Sequence, residues 1–350
     1  LFSISTGCLY AQLVNELEKK SLETFLSYRS IFETISKAQN LAHLMGKLKE
    51  EISSNPDSFV DLDPKVPQAL LDQKHAGKKL FLATNSDWLY TNNMMSYAMN
   101  PFLKGYKWED LFDLIIVGAD KPNFFGSSQR IYEVNTKENV LKPHFGKLKN
   151  HVYHGGCATI IEDHFKVQGR EILYVGDHIY SDINIAKKSR RWYTALVLRE
   201  LEQELSELDT YQDERDFIFN ETEKKNQLDQ EICYLKLLKQ QIEIPYTKKP
   251  KKSLSDLKKE IASLESKIKK CDKEIKTKTL FLKKKADSPW GFLMRVGNSR
   301  SLIAKQIAKH ADIYSARVSN FLEATPYRSF RSKPALFSHD YRGETQNKRI

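Results

Sequence analysis

Ile172-Leu-Tyr-Val-Gly-Asp-His-Ile-Tyr-Ser-Asp182 decides the architecture. Ile172 to Val175 is an apolar run of strand length, Gly176-Asp177 stands at its tip, and Asp182 to Ser189 reads as the helix that follows. Open parallel sheets bind ligands outside the carboxyl ends of their strands, so a Gly-Asp pair at such a tip faces a ligand crevice. Asp177 and Asp182 can converge on a hard cation, with Gly176 allowing close backbone approach. A plain helix N-cap explains Asp182 but not the Gly-Asp at the strand tip.

The alternation extends outward from this stretch. Lys79-Leu-Phe-Leu-Ala83, Leu114-Ile-Ile-Val117 and Thr194-Ala-Leu-Val-Leu198 are further strands by length, while Trp88 to Met99 and Cys157 to Phe165 are helical. Strand-then-helix repetition with runs apolar on both faces marks a parallel sheet covered on both sides. The expected fold class is α/β, a doubly wound parallel sheet with a Rossmann-like core. Residues 1 to about 55 have helical periodicity, and a Pro-bearing loop from Ser53 to Pro67 follows. After Arg199 no further strand is expected. Leu228, Ile232, Leu235 and Ile242 mark one amphipathic helix, and Leu254, Leu257, Ile261, Leu264, Ile268, Cys271 and Ile275 a second, stepping by three and four. Pro245 and Pro250 separate them, so an antiparallel helical hairpin is expected, with an intermolecular coiled coil as the rival. Ser301 to Phe321 reads as one helix, and Pro326 to Ile350 as a polar, loosely ordered tail. The expected divisions are residues 1–60, 61–210, 211–288, 289–325 and 326–350.

A chain of 350 residues, 40% of them hydrophobic, can bury a substantial core. Its apolar runs are far shorter than the roughly 20 residues that cross a bilayer, so no membrane partner is expected. The four cysteines show neither close pairing nor metal-ligand spacing, which points to a reducing, cytoplasmic setting. The net charge of +11 is concentrated: between Lys248 and Lys285 there are 15 lysines against five acidic residues. Such a run on a helix is ordinarily a solvated face, and no aromatic residue interleaves it before Phe281 to stack on bases. A homo-oligomer is expected, and nucleic acid is not the expected partner.

Two more stations stand at strand ends. Thr84-Asn85-Ser86-Asp87 offers hydroxyls, a carboxamide and backbone N–H groups at a positive helix terminus, a ready phosphate cradle, unless Ser86 or Asp87 is merely a cap. Lys121, in Val117-Gly-Ala-Asp-Lys-Pro-Asn-Phe-Phe125, can stabilise charge on a phosphoryl group; alone it would read as a loop lysine.

A strand-end Thr, a Lys, and Gly-Asp with a second Asp downstream resemble the motifs of the haloacid dehalogenase (HAD) superfamily. Phe81-Leu-Ala-Thr-Asn-Ser-Asp87, Lys121-Pro-Asn-Phe-Phe-Gly126, Tyr174-Val-Gly-Asp-His-Ile-Tyr-Ser-Asp182 and Arg199-Glu-Leu-Glu-Gln-Glu-Leu205 resemble, more narrowly, the cytosolic purine 5′-nucleotidases, which prefer IMP and GMP. The resemblance implies a HAD-like core, with residues 1–60 as part of a helical cap, and hydrolysis of purine nucleoside 5′-monophosphates. It implies Thr84, Asn85, Ser86 and Lys121 at the phosphate, Lys121 being catalytic as well, and Mg2+ held by Asp177 with Asp182 supporting. It places Asn40, His43 and Lys49 near the nucleoside, although Ser36 and Asn40 replace an Arg and an Asp that read the purine. Tyr180, Lys188 and Gln306 fall on positions resembling a nucleotide effector site, where Lys309 and His310 depart from the pattern.

The family's nucleophile, the first Asp of Asp-x-Asp-x-Thr, has no counterpart. Asp61-Leu62-Asp63 is followed by Pro64 and Lys65 and lacks a preceding strand, so it reads as a decoy. The chain is therefore expected to be a fragment beginning after the nucleophile, and by itself inactive. The alternative is a catalytically inactive nucleotide-binding or assembly module.

Overall fold

The computed structural model describes residues 4–19, 27–44, 46–244, 246–247, 250–285, 292–296 and 299–330. The chain divides into two compact units. One takes in the described residues of 1–174, 180–193 and 317–350; the other takes in those of 175–179 and 194–316.

The first unit begins with helices α1 (Ile4–Glu18), α2 (Tyr28–Leu44) and α3 (Lys47–Ser54), as the periodicity predicts. Ile31 and Ile35, one turn apart on α2, are both buried. There follow α4 (Lys65–His75), β1 (Phe81–Ala83), α5 (Trp88–Met99), β2 (Leu114–Val117), α6 (Asn123–Gly126), β3 (Ile131–Asn135), β4 (Val140–Pro143), β5 (Val152–Gly155) and α7 (Ala158–Phe165). The five strands form one sheet in the order β1-β2-β5-β3-β4. β1, β2 and β5 are mutually parallel, while β3 runs antiparallel to both β5 and β4.

β2 explains why this sheet forms. All four of its side chains are fully buried. Leu114 and Ile116 enter a cluster with Phe124, Phe125, Tyr153 and Trp192 on one face. Ile115 and Val117 enter another with Trp88, Trp108 and Leu111 on the other. Period-two alternation sends successive residues to opposite faces, and each such burial contributes about 1.5–3 kcal/mol. The parallel pairing of β1 with β2 is the expected one, but β3, β4 and β5 are additions to this sheet, and the strands expected at Ile172–Val175 and Thr194–Leu198 fall in a separate sheet. β3 mixes Tyr, Glu and Asn into a half-exposed edge region, and β4 is exposed along its whole length, so neither has a continuous apolar run to reveal it.

β6 (Leu173–Gly176) runs from the first unit into the second and is followed by π-helical turns at Ile179–Asn184 and Ala186–Arg190. The α-helix expected over Asp182 to Ser189 is therefore wound more widely, a rare geometry found most often near functional sites. Then come β7 (Tyr193–Val197), α8 (Leu201–Thr210), α9 (Gln212–Glu243), α10 (Leu254–Lys285), β8 (Arg295–Val296), β9 (Ser299–Arg300), α11 (Leu302–His310), β10 (Ile313–Ser315) and, back in the first unit, α12 (Phe321–Ala324). β10, β7 and β6 form a sheet in that order, and β8 pairs with β9.

Two expectations are corrected here. Strands do not stop at Arg199, and Ser301–Phe321 is not one helix. Ser301 caps α11 by accepting the Ala304 N–H at 3.0 Å. The chain leaves the helix after His310 because the Asp312 carboxylate accepts both the N–H and the hydroxyl of buried Thr194, each at 3.0 Å, which pins β10 parallel to β7.

α9 and α10 pack through Ile232, Leu235, Leu257, Ile261 and Leu264. Ion pairs Glu214–Lys278, Lys225–Asp272 and Lys236–Glu265 run up one helix and down the other, so the hairpin is antiparallel and closes within the chain. Pro245, one of the breaks expected between the helices, and residues 331–350 of the expected tail lie outside the described residues. Among the described residues no helix is long and apolar enough to cross a membrane.

Candidate active site

The loops after β1 and β2 are sewn together by their main chains. Thr84 donates its N–H to Ile116 O and accepts from the Ala119 N–H, both at 2.9 Å, and Ser86 O accepts from the Gly118 N–H at 2.8 Å. The Thr84 hydroxyl accepts the Ser86 N–H at 3.1 Å. Asp87 is the cap of α5, accepting the Tyr90 N–H at 2.9 Å. Capping thus falls to Asp87 alone, and the Ser86 hydroxyl makes no hydrogen bond among the described residues.

Asn85 is used differently from its neighbours. Its Oδ1 accepts the Lys121 N–H at 2.7 Å, and its Nδ2 donates to Lys121 O at 3.0 Å. Both ends of the carboxamide therefore hold the main chain of Lys121. The Lys121 ammonium lies 3.0 Å from Asp182 Oδ1 and 3.2 Å from the Tyr174 hydroxyl, which itself donates to Asp182 at 3.3 Å. Little of this ion pair reaches solvent: the side chains are 17% and 5% exposed. A charge buried to that degree persists only when paired and hydrogen-bonded.

Tyr174 is a site residue that motif reading passed over. Its ring is fixed by Phe81, Phe125 and Trp192, with centroids 6.4, 5.1 and 5.8 Å away. The available signal was a polar-tipped aromatic on a strand otherwise aliphatic, since a buried Tyr hydroxyl usually seeks a partner.

Of the residues expected near a nucleoside, Lys49 is brought to the start of α5. Its ammonium lies 3.3 Å from Asp87 and 5.0 Å from the Tyr90 ring centroid. Partial burial works to raise the Asp87 pKa, but the Tyr90 N–H and Lys49 outweigh it and hold the carboxyl below its ordinary value. Asn40 and His43 lie on α2, with side chains outside the described part of the structure. Tyr180 and Lys188 are exposed on the π-helical turns, and Gln306 on α11 has its Oε1 3.1 Å from His310 Nε2.

Asp177 directly follows β6, is exposed, and has no partner among the described residues. The described residues contain no group of three or more His, Cys, Asp or Glu side chains suited to a metal. Mg2+ does not require one: it is commonly held by one or two carboxylates, with water and substrate phosphate completing the shell. The exposed Asp177 carboxylate at the tip of β6 is a hard-oxygen donor of the kind this ion takes.

Asp61 and Asp63 are occupied elsewhere. Arg317 reaches both, at 3.3 and 3.6 Å, and the Ser319 hydroxyl donates to Asp63 at 2.6 Å. This Asp-x-Asp anchors the segment that leads into α12.

A model of the 5′ nucleotidase family matches residues 1–342. The chain belongs to the 5′ nucleotidase family. A 5′-nucleotidase domain-containing protein of Dictyostelium discoideum is 30% identical over 329 residues, which cover 92% of this chain and 50% of that protein. The chain thus spans about half the length of this curated relative.

Proposed function

We propose that the chain carries the phosphate- and metal-binding part of an enzyme hydrolysing purine nucleoside 5′-monophosphates of the IMP and GMP type to nucleoside and phosphate, in a cytoplasmic setting. The observation that carries this reading is Lys121, its main chain clamped by Asn85 and its ammonium held by Asp182 and Tyr174 beside the Thr84-Asn85-Ser86 turn.

The roles divide by availability. The Ser86 hydroxyl, unengaged, and that of Thr84 would donate to phosphate oxygens, and Lys121 would balance their charge as it builds in the transition state. Asn85 would act through Lys121 by fixing its position. Asp177 would ligate Mg2+, with Asp182, already committed to Lys121, in support. When bound, Mg2+ would draw negative charge off the phosphoryl group. On this reading an aspartate outside these 350 residues attacks phosphorus to give an aspartyl-phosphate that water hydrolyses, and a second aspartate protonates the leaving nucleoside oxygen. Asn40, His43 and Lys49 would face the nucleoside, Asn40 offering both a donor and an acceptor to a purine edge.

The complete protein, given IMP or GMP with Mg2+, should release phosphate faster than from CMP. Lys121→Ala or Asp177→Asn should each lower kcat by about 100-fold or more. Turnover unchanged in both variants would sink the site assignment. A second reading, a catalytically inactive nucleotide-binding or assembly module, is favoured by one observation: the chain's Asp-x-Asp is engaged by Arg317 and Ser319. Saturable IMP binding by the complete protein with no phosphate released would select it.

A further inference from the structure

The acidic and basic side chains of α10 are sorted to different sides. Its apolar face, Leu257, Ile261 and Leu264, is taken up by α9. Glu265 and Asp272 reach across to Lys236 and Lys225 of α9, Glu260 holds Lys252, and Asp256 accepts from Ser253 beside the helix start. Lys258, Lys259, Lys269, Lys270, Lys273 and Lys276 remain, all exposed and none within ion-pair distance of a carboxylate among the described residues. Lys270, at the margin, is near enough to Glu221 to help lower its carboxyl. At 100° per residue these six positions fall within about a third of the helix circumference. No acidic residue shares that arc. It extends about 27 Å from Lys258 to Lys276 at 1.5 Å per residue.

We propose that this stripe of α10 binds the phosphate backbone of a duplex polynucleotide without reading its sequence. Six unneutralised charges in a row call for a partner whose charges also repeat, and duplex DNA presents one about every 1.7 Å. A lipid surface fits poorly. A helix lying on a membrane inserts its apolar face, which here is sealed against α9, and Ala262, Ser266 and Thr277 are what stand between the lysines. A protein partner fits no better, because lysine is depleted in such interfaces and the arc offers no aromatic or Arg anchor. With no aromatic side chain in the arc, base stacking is also excluded as a source of affinity, so binding is electrostatic and sequence-independent.

The test is fluorescence anisotropy of labelled random-sequence RNA and DNA duplexes with the full chain, in excess IMP to occupy any mononucleotide site. Binding at 50 mM salt should weaken steeply as salt rises, with a log–log slope of about −5 for six contacts. The K269Q/K270Q/K273Q variant should bind on the order of 10- to 100-fold more weakly, with a slope shallower by about 3. Gln matches Lys in helix propensity, so circular dichroism should be unchanged; Lys267→Gln, off the stripe, should bind as the parent does. The proposal is overturned by absence of binding at 50 mM salt, by displacement with IMP, or by indifference to the triple substitution. Equal competition by polyglutamate, or preference for phosphatidylserine vesicles, would also overturn it.

Discussion

Asn85 grips Lys121 by both of its main-chain groups, accepting its N–H at 2.7 Å and donating to its carbonyl at 3.0 Å. A side-chain amide thereby replaces a ladder of strand hydrogen bonds just past the ends of β1 and β2. Asn85→Ala should cost about 1–3 kcal/mol, at 0.5–1.5 kcal/mol per hydrogen bond. Asn85→Asp keeps the acceptor but sets a carboxylate oxygen against the Lys121 carbonyl in place of the donor, so it should cost at least as much. Urea denaturation of the three proteins measures this; equal midpoints would show that the clamp contributes nothing.

Lys121 and Asp182 illustrate how asymmetric a buried ion pair is. Lys121→Met removes the cation beside a carboxylate that is almost wholly enclosed and should destabilise by about 3–5 kcal/mol. Adding Asp182→Asn should recover much of that loss, because the uncompensated charge is gone. A double-mutant cycle in guanidinium reads the coupling, and strict additivity would argue against it.

Gly118 has φ of +56°, and a Cβ there would run into the imidazole of His154 at the end of β5. Gly118→Ala should therefore lower stability by about 2 kcal/mol or more, combining left-handed strain with the clash. His154→Ser in the same chain should return only the steric part. Thermal melting of the single and double variants separates the two contributions.

Asp63 gives the acid limb of stability one named origin. Partial burial works to raise its pKa, yet the Ser319 hydroxyl, the Lys65 N–H and Arg317 together hold it below the usual 3.8. A depressed carboxyl contributes stability above its unfolded pKa and loses it as pH falls through the lower folded value. The urea midpoints of the parent and Asp63→Asn should differ most at neutral pH and converge below pH 3.8.

How much was legible in the sequence followed burial. β1, β2, β6 and β7 announce themselves as short apolar runs, although only β2 is buried on both faces and β6 leaves Leu173 and Val175 exposed. β3 and β4 could not, since half-exposed antiparallel strands carry polar residues that loops also carry. The end of α11 was equally hidden: nothing local in Gln306 to Ser315 stops a helix, and the partner that does, Thr194, is 118 residues from Asp312.

The same division runs through the site. Sequence alone determined which residue types stand at the strand ends, because Thr84, Lys121, Asp177 and Asp182 sit at fixed short distances from apolar runs of strand length. Tertiary structure decided what each one does there. That Asn85 serves Lys121, that Tyr174 joins Lys121 to Asp182, and that Asp61 and Asp63 serve Arg317 all depend on contacts between residues 8 to 256 positions apart. Hydrogen bonds and ion pairs are short-ranged and directional, so only the packed chain assigns their partners.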